Sequence, residues 1–214
     1  MSRMKEVYDY LVEEIVSNKI LPGTPIIETD IANELNMSRT PIREALKELE
    51  SEGLIQRFPG RGVVVSKIAA QDIEEIFTLR ITLELLALEL SFDKITTNDI
   101  SEVEEYLFNL DDKNEKQDYY HVDKWIHTLI ITKAGNRRLK KYIDLLNSQI
   151  ERFRRISALE PNRLSKSKNE HIELIEAIKT KNFDLSSELL EKHLLNVKNS
   201  TLEVAENLKM QNPM

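Results

Sequence analysis

Three of the chain's four histidines and one aspartate have the types and spacing to grip a metal ion. Asp123 and His127 are four residues apart, so a helix would project both from one face, where a carboxylate oxygen and an imidazole nitrogen can reach the same ion. His127 sits between Asp123 and Ile130, His171 lies ahead of Leu174 and Ile178, and His193 lies with Leu189 and Val197. Each therefore falls on the apolar stripe of a different helix and is expected to point inward, whereas His121 points elsewhere. Taken singly, a histidine on such a stripe is more often a hydrogen-bonded core residue than a ligand. Three together favour a shared task. A second set has a different chemistry: Arg39, Arg43 and Lys47 recur every four residues, on the helix face away from Ile42, Ala45, Leu46 and Leu49. Cations so aligned suit a phosphate backbone.

The elements that would hold those cations are short and tightly punctuated. Ile31 and Leu35, then Ile42, Ala45, Leu46 and Leu49, put apolar residues at helical spacing in two runs separated by Asn36, Met37 and Ser38. That is too little chain for anything but a tight turn, so a helix-turn-helix is expected. Ser38 is a natural N-cap and Pro41 is tolerable only in a first turn, which starts the second helix near Arg39. Gly53 fits a left-handed cap after that helix, and residues 54–58 and 63–65 read as two strands joined through 59–62. The expected product is a winged helix with a basic wing tip. Ahead of it, Val7, Tyr8, Leu11, Val12 and Ile15 form the stripe of a first helix, ended by the turn at 21–23 before a short extended piece at 26 and 27.

Four of the five glycines and four of the six prolines precede residue 67, and turn punctuation nearly vanishes beyond it. The expected organisation is a winged helix-turn-helix domain over 1–67, an all-α domain over 68–209, and a frayed tail over 210–214. The fold class is mainly α, with a small β wing and a bundle of six helices. Ile73, Ile76, Phe77, Leu79, Leu83, Leu86, Ala87 and Leu90 are apolar around more than half of the first bundle helix, which suits burial between neighbours. Ile100, Val103, Leu107 and Leu110 mark the next, and residues 111–118 read as a solvated loop. A third helix is expected over about 119–133, broken by Gly135 and Asn136, and a fourth carries Leu139, Ile143, Leu146, Ile150 and Phe153 until Pro161 stops it. Ser167 and Glu170 have the spacing of a capping box for the fifth, and Asp184 could cap the sixth.

The chain has 214 residues, 41% of them apolar and 31% charged, which suits two modest domains with cores and excludes a disordered composition. It has no cysteine, and neither a membrane-spanning run nor a signal segment is visible, so a cytoplasmic protein with no membrane partner is expected. The net charge of −7 argues mildly against nucleic acid, but Arg39, Arg43, Arg57 and Arg61 gather at one presumed edge while Glu48, Glu50 and Glu52 lie toward the helix end.

The run NMSRTPIREALKELESEGLI resembles the core signature of the GntR family of bacterial transcription regulators. That resemblance implies that Arg39, Thr40 and Arg43 face base edges and phosphates, that Lys47 meets phosphate, and that Arg61, flanked by Gly60 and Gly62, enters a groove from the wing. Where some members carry a further arginine at the start of the preceding helix, this chain has Thr29 and Asp30. LRITLELLALEL, DKWIH, AGNRRL, EHIELIEAI and LLEKHL together resemble the FCD effector domain of the FadR-like subgroup. In its metal-binding members one aspartate and three histidines hold the ion, which by position implies Asp123, His127, His171 and His193 here. Zinc suits such ligands, as would nickel, manganese or iron. Coordination positions left open could take a small organic acid, with Arg80 as its charge partner or, equally, engaged in an ion pair with Glu84 one turn on.

The expected function is a metabolite-responsive repressor that binds a short palindromic operator in double-stranded DNA as a homodimer. Two rivals remain. The Asp/His cluster could activate water in a metal-dependent hydrolase-like enzyme, although no HExxH motif or nucleophile-base pair accompanies it and the first 66 residues would go unexplained. Alternatively, the metal could be purely structural.

Overall fold

In the computed structural model, residues 2–60, 62–110 and 116–211 are described. They group into two compact units: Met1–Ala69 with Leu145–Arg152, and Ala70–Asp144 with Phe153–Met214.

In the first unit α1 spans Arg3–Val16, and the Ser2 hydroxyl accepts from the Lys5 amide to cap it. α2 (Glu28–Glu34) and α3 (Arg39–Ser51) form the helix-turn-helix. The turn closes because Asn36 takes a left-handed conformation, φ 50°, and the Met37 amide returns to the Ala32 carbonyl. Ser38 occupies the N-cap with extended backbone, but its hydroxyl makes no capping bond, so helix entry rests on backbone geometry and on Pro41. Ile42, Ala45, Leu46 and Leu49 are buried against Val7, Leu11 and Ile15, which is the core the apolar spacing calls for. Gly53, at φ 75°, turns the chain out of α3. Strands β1 (Pro25–Ile26), β2 (Ile55–Phe58) and β3 (Gly62–Val65) make an antiparallel sheet in the order β1-β3-β2, with Ile55 opposite Val65 and Phe58 opposite Gly62.

The second unit contains α4 (Ala70–Ser91), a short 3-10 turn at Phe92–Lys94, α5 (Thr97–Asn109), α6 (Lys116–Ala134), parts of α7 (Arg137–Ser157), α8 (Arg163–Lys179) and α9 (Phe183–Gln211). Helix α4 packs on α6 and α9, and α8 packs on α5, α6 and α9. Their shared core includes Leu88, Val103, Ile126, Ile130, Leu174, Ile178, Leu190 and Leu194. A capping box between Thr96 and Asp99 opens α5.

Three expected details differ. Helix α6 begins at Lys116, so the end of the expected 111–118 loop is helical; residues 111–115 lie outside the described residues. Helix α8 starts at Arg163 after a left-handed Asn162, φ 62°, which leaves Ser167 a turn inside the helix and frees Glu170 for other partners. At the start of α9 the Asn182 side chain accepts from the Leu185 amide, while Asp184 lies in the first turn, where a negative charge still favours the helix dipole.

Candidate metal centre and nucleic-acid interface

Helix α6 presents Asp123 and His127 from one face, α8 supplies His171 and α9 supplies His193. All four are buried, and their potential ligand atoms lie within 4.8 Å of one another. Asp123 Oδ1 is 4.0 Å from His127 Nε2, 3.6 Å from His171 Nε2 and 3.8 Å from His193 Nε2. The Nε2 atoms of His127 and His193 are 3.4 Å apart. Two imidazoles on one zinc, each bonded at about 2.0–2.1 Å in tetrahedral array, would place their nitrogens about 3.4 Å apart. The four residues therefore fit a divalent ion. The buried His171 Nε2 has no hydrogen-bond partner, as a ligand atom should not.

The surroundings keep the donors in the forms a metal needs. Burial pushes the His171 imidazole well below its ordinary 6.5, reinforced by the neighbouring His193. Burial also lowers His193, against the opposing hydrogen bond to Glu170. For Asp123 burial acts the other way, but Arg154 and the histidines hold the carboxyl well below its usual range. Arg154 Nε forms an ion pair with Asp123 Oδ2.

Behind the ring lie two more carboxylates. Glu84 Oε2 is 2.5 Å from His127 Nδ1, and its Oε1 accepts from Arg80 Nε at 2.7 Å. Burial disfavours its charge, yet His127 and Arg80 hold the Glu84 carboxyl well below the usual range. Glu170 Oε2 is 2.7 Å from His193 Nδ1, and this carboxylate also accepts from Arg163 and Asn196. Burial is again outweighed, and the Glu170 pKa falls to about 2.

The structure thus brings Asp123, His127, His171 and His193 together and puts Arg80 in the ion pair with Glu84, although its buried Nη1 and Nη2 have no hydrogen-bond partner. His121 is exposed. A small cavity borders the cluster beside Asp123 and His171, with Tyr119, Arg154, Arg163 and Lys168 in its wall. Sequence reasoning passed over Arg154, Arg163 and Asn196, and took Glu170 for a helix cap. A visible signal was present: arginines at Arg154 and Arg163 flank a helix break otherwise bordered by apolar stripes.

On the first unit Arg39, Thr40, Arg43 and Lys47 are all exposed along α3. Arg43 Nε is 2.8 Å from Glu28 Oε2, with the arginine side chain 59% exposed. At the wing, Gly60 and Gly62 have φ of 75° and 80°, a left-handed backbone that admits a tight turn without steric cost. Arg61 lies outside the described residues.

Among the described residues no helix is long and apolar enough to cross a membrane. Residues 3–65 match the model of the gntR family of bacterial regulatory proteins, and residues 75–196 match the FCD domain. The HTH-type transcriptional repressor RspR of Escherichia coli (strain K12) is 25% identical over 203 residues, covering 94% of this chain and 89% of RspR. The solved structure of E. coli McbR/YncC superposes with a TM-score of 0.78 at 22% identity, over 99% of this chain and all of that one, and so shares the fold. The Zn2+-bound FCD domain of TM0439 has a TM-score of 0.58 at 26% identity and covers 68% of this chain and 99% of that one. The matched family and relatives are transcriptional regulators and not enzymes, which sets the hydrolytic alternative aside. The chain belongs to the GntR family of bacterial transcription regulators, with a winged helix-turn-helix followed in sequence by an FCD domain.

Proposed function

We propose that this regulator is a homodimeric, metabolite-responsive repressor that binds a short palindromic operator and senses a small organic acid at a divalent metal, zinc in the first instance. The observation that carries this is the convergence of Asp123 Oδ1 with three imidazoles in a buried site. Charge then argues for an acid. The carboxylates of Asp123, Glu84 and Glu170 are paired with Arg154, Arg80 and Arg163, so a divalent ion adds two positive charges to carboxylates that already have cationic partners. An uncompensated buried charge is costly, and an anionic ligand would offset it. We assign the charge partner of that ligand to Arg154, which lines the cavity beside Asp123, in preference to Arg80, which does not line it.

DNA contact is assigned to Arg39, Thr40, Arg43 and Lys47 on α3 and to the wing at Arg61 and Gly62, which fits a protein of the cytoplasm. A homodimer is supported by α4, where Ile76, Leu79, Leu83, Leu86 and Leu90 recur at alternating spacings of three and four, with Leu79 52% and Leu86 40% exposed while Leu83 and Leu90 also pack on the bundle core. A second copy presenting the same stripe would cover it and would supply the two-fold symmetry of a palindrome. The repressing direction follows RspR, whose name describes a repressor.

The test is elemental analysis of protein purified without chelator, followed by operator binding with and without candidate acids. Stoichiometric metal together with an acid that shifts operator affinity supports the proposal; a metal-free protein that still responds to its acid overturns it. Burial of all four ligands also favours a structural metal. In that case metal removal would unfold the second unit and no acid would shift DNA affinity.

A further inference from the structure

Two of the three clustered histidines are wired alike. The Glu84 carboxylate sits between His127 Nδ1, at 2.5 Å, and Arg80 Nε, at 2.7 Å. The Glu170 carboxylate sits between His193 Nδ1, at 2.7 Å, and three donors: Arg163 Nη1 and Nη2 at 3.1 and 2.8 Å, and Asn196 Nδ2 at 2.8 Å. A carboxylate held by a guanidinium is an acceptor only, so the imidazole facing it must carry its hydrogen on Nδ1. The Nε2 atom of each ring is then left with its lone pair. Those two lone pairs meet across 3.4 Å, close to Asp123 Oδ1 and His171 Nε2.

We propose that Glu84 and Glu170 are positioning residues for the metal: the chains Arg80–Glu84–His127 and Arg163–Glu170–His193 lock both imidazoles in the Nδ1–H tautomer and so aim two Nε2 lone pairs at one point. This rests on the metal-binding function proposed above. The arginines have a specific part in it. Arg80 orients Glu84 by occupying the oxygen that His127 does not use, Arg163 grips both oxygens of Glu170, and in each case the paired charge keeps the carboxylate acceptor-only. Imidazole ligands oriented in this way bind metals more tightly, and loss of the orienting group costs typically about 10–100-fold in affinity.

Substitution by glutamine separates this role from simple packing. In Glu84→Gln the single amide oxygen is claimed by Arg80, which can only donate, so the amide NH2 turns to His127 Nδ1. That nitrogen must now accept, the ring hydrogen moves to Nε2, and Nε2 can no longer ligate. In Glu170→Gln the oxygen is claimed by Arg163 and Asn196, with the same result for His193. In the double variant Arg80→Met/Glu84→Gln the donor that claimed the oxygen is gone. The amide can then turn its oxygen to His127 and restore the Nδ1–H form, and no buried guanidinium is left without a counter-charge.

The experiment uses the full chain, with zinc affinity measured by competition against a chromophoric chelator. Long-range 15N–1H correlations of the imidazoles in metal-free protein report the tautomers, and circular dichroism reports the fold. Expected are Nδ1–H tautomers for His127 and His193 in the wild type, an affinity loss of about 10–100-fold with a switch to Nε2–H in each single variant, and recovery to within about threefold of wild type in the double variant. Single variants that bind zinc as the wild type does, or a double variant that stays as weak as Glu84→Gln, overturn the proposal. If Glu84→Gln does not fold, the wild-type tautomers and the double variant decide: an Nε2–H form of either histidine in metal-free wild type is a refutation. A wild type that takes up no zinc, nickel or manganese removes the metal-binding function and this proposal together, whereas a metal-binding wild type with unaffected variants removes this proposal alone.

Discussion

Arg154 forms an ion pair with Asp123 through Oδ2, while Oδ1 of the same carboxylate faces His127, His171 and His193. The aspartate is therefore shared between a fixed cation and the candidate metal position. Removing Arg154 would strand a buried negative charge, so Arg154→Met is expected to lower the stability of metal-free protein by about 3–5 kcal/mol. Bound zinc would supply a second counter-charge and recover part of that loss. Urea unfolding of wild type and variant, with and without zinc, measures both effects; equal losses in the two states would show that Arg154 and the metal do not share Asp123.

The buried histidines give the metal-free protein a pH dependence. Burial lowers the folded-state pKa of His171 and His193 below the ordinary 6.5. Between that value and the depressed ones, the unfolded chain binds protons that the folded chain does not, so stability rises with pH in this window and falls as pH drops below about 6.5. Above about 6.5 both states are neutral at these positions and the contribution vanishes. Glu170 adds to the acid loss lower down, since its folded pKa of about 2 lies below the ordinary 4.5. Thermal melts of chelator-treated protein from pH 8 to pH 5 should be flat, then decline below about 6.5. A midpoint that rises on acidification would contradict the assignment of neutral buried imidazoles.

On the recognition helix, Arg43→Ala is expected to weaken operator binding by about 1–3 kcal/mol and to relax discrimination at one base pair, as loss of a base contact does. Lys47→Ala should weaken all DNA about equally and reduce the slope of log affinity against log salt by about one unit. The Arg43–Glu28 pair is exposed, so it is worth at most about 1 kcal/mol and can yield to DNA. Fluorescence anisotropy on operator and scrambled duplexes across a salt series separates the two roles, and an Arg43→Ala protein with unchanged operator affinity would rule out the base contact.

The α4 stripe makes the dimer testable apart from the metal. Leu79 and Leu86 are its most exposed members, so a Leu79→Glu/Leu86→Glu protein should keep its helical content yet sediment as a monomer and lose operator affinity. A wild type that is monomeric at micromolar concentration with full operator affinity would defeat the homodimer.

The outline of the fold was legible in the sequence because its signals are local. Ser38, Pro41 and Gly53 bracket α3 by backbone preference alone, and the burial of Ile42, Ala45, Leu46 and Leu49 follows from their spacing. The clustered residues were legible for the same reason: Asp123 and His127 lie one helical turn apart, and His171 and His193 sit on apolar stripes. What supports them was not legible. Glu170 reaches His193 across a helix pair, and Ser167 three residues earlier imitated a capping box that the helix, beginning at Arg163, does not use. Arg154 meets Asp123 from another helix, a pairing that no local period encodes. The grouping of residues 145–152 with the first unit is likewise a long-range matter, since α7 carries one uninterrupted helical pattern.

The sensing role stands or falls with one ligand. His193 is fully buried on α9, and its Nε2 lies near those of His127 and His171, so His193→Ala removes a metal donor without touching the first unit. A first ligand lost from such a site should cut metal affinity more than the 10–100-fold typical of outer partners, so at micromolar zinc the variant should purify with about one tenth of the wild-type metal or less. Without the ion Asp123 retains Arg154, which argues that the bundle stays folded and that α3 still presents Arg39 and Arg43. The expected result is basal operator binding within about twofold of wild type and no shift on adding the acid that releases wild type, because an effector moves an equilibrium only through its differential affinity for the two states. Elemental analysis and anisotropy on the same preparation measure both quantities. A metal-depleted His193→Ala protein that still releases DNA with the acid would place sensing elsewhere in the chain and leave the metal with a structural task.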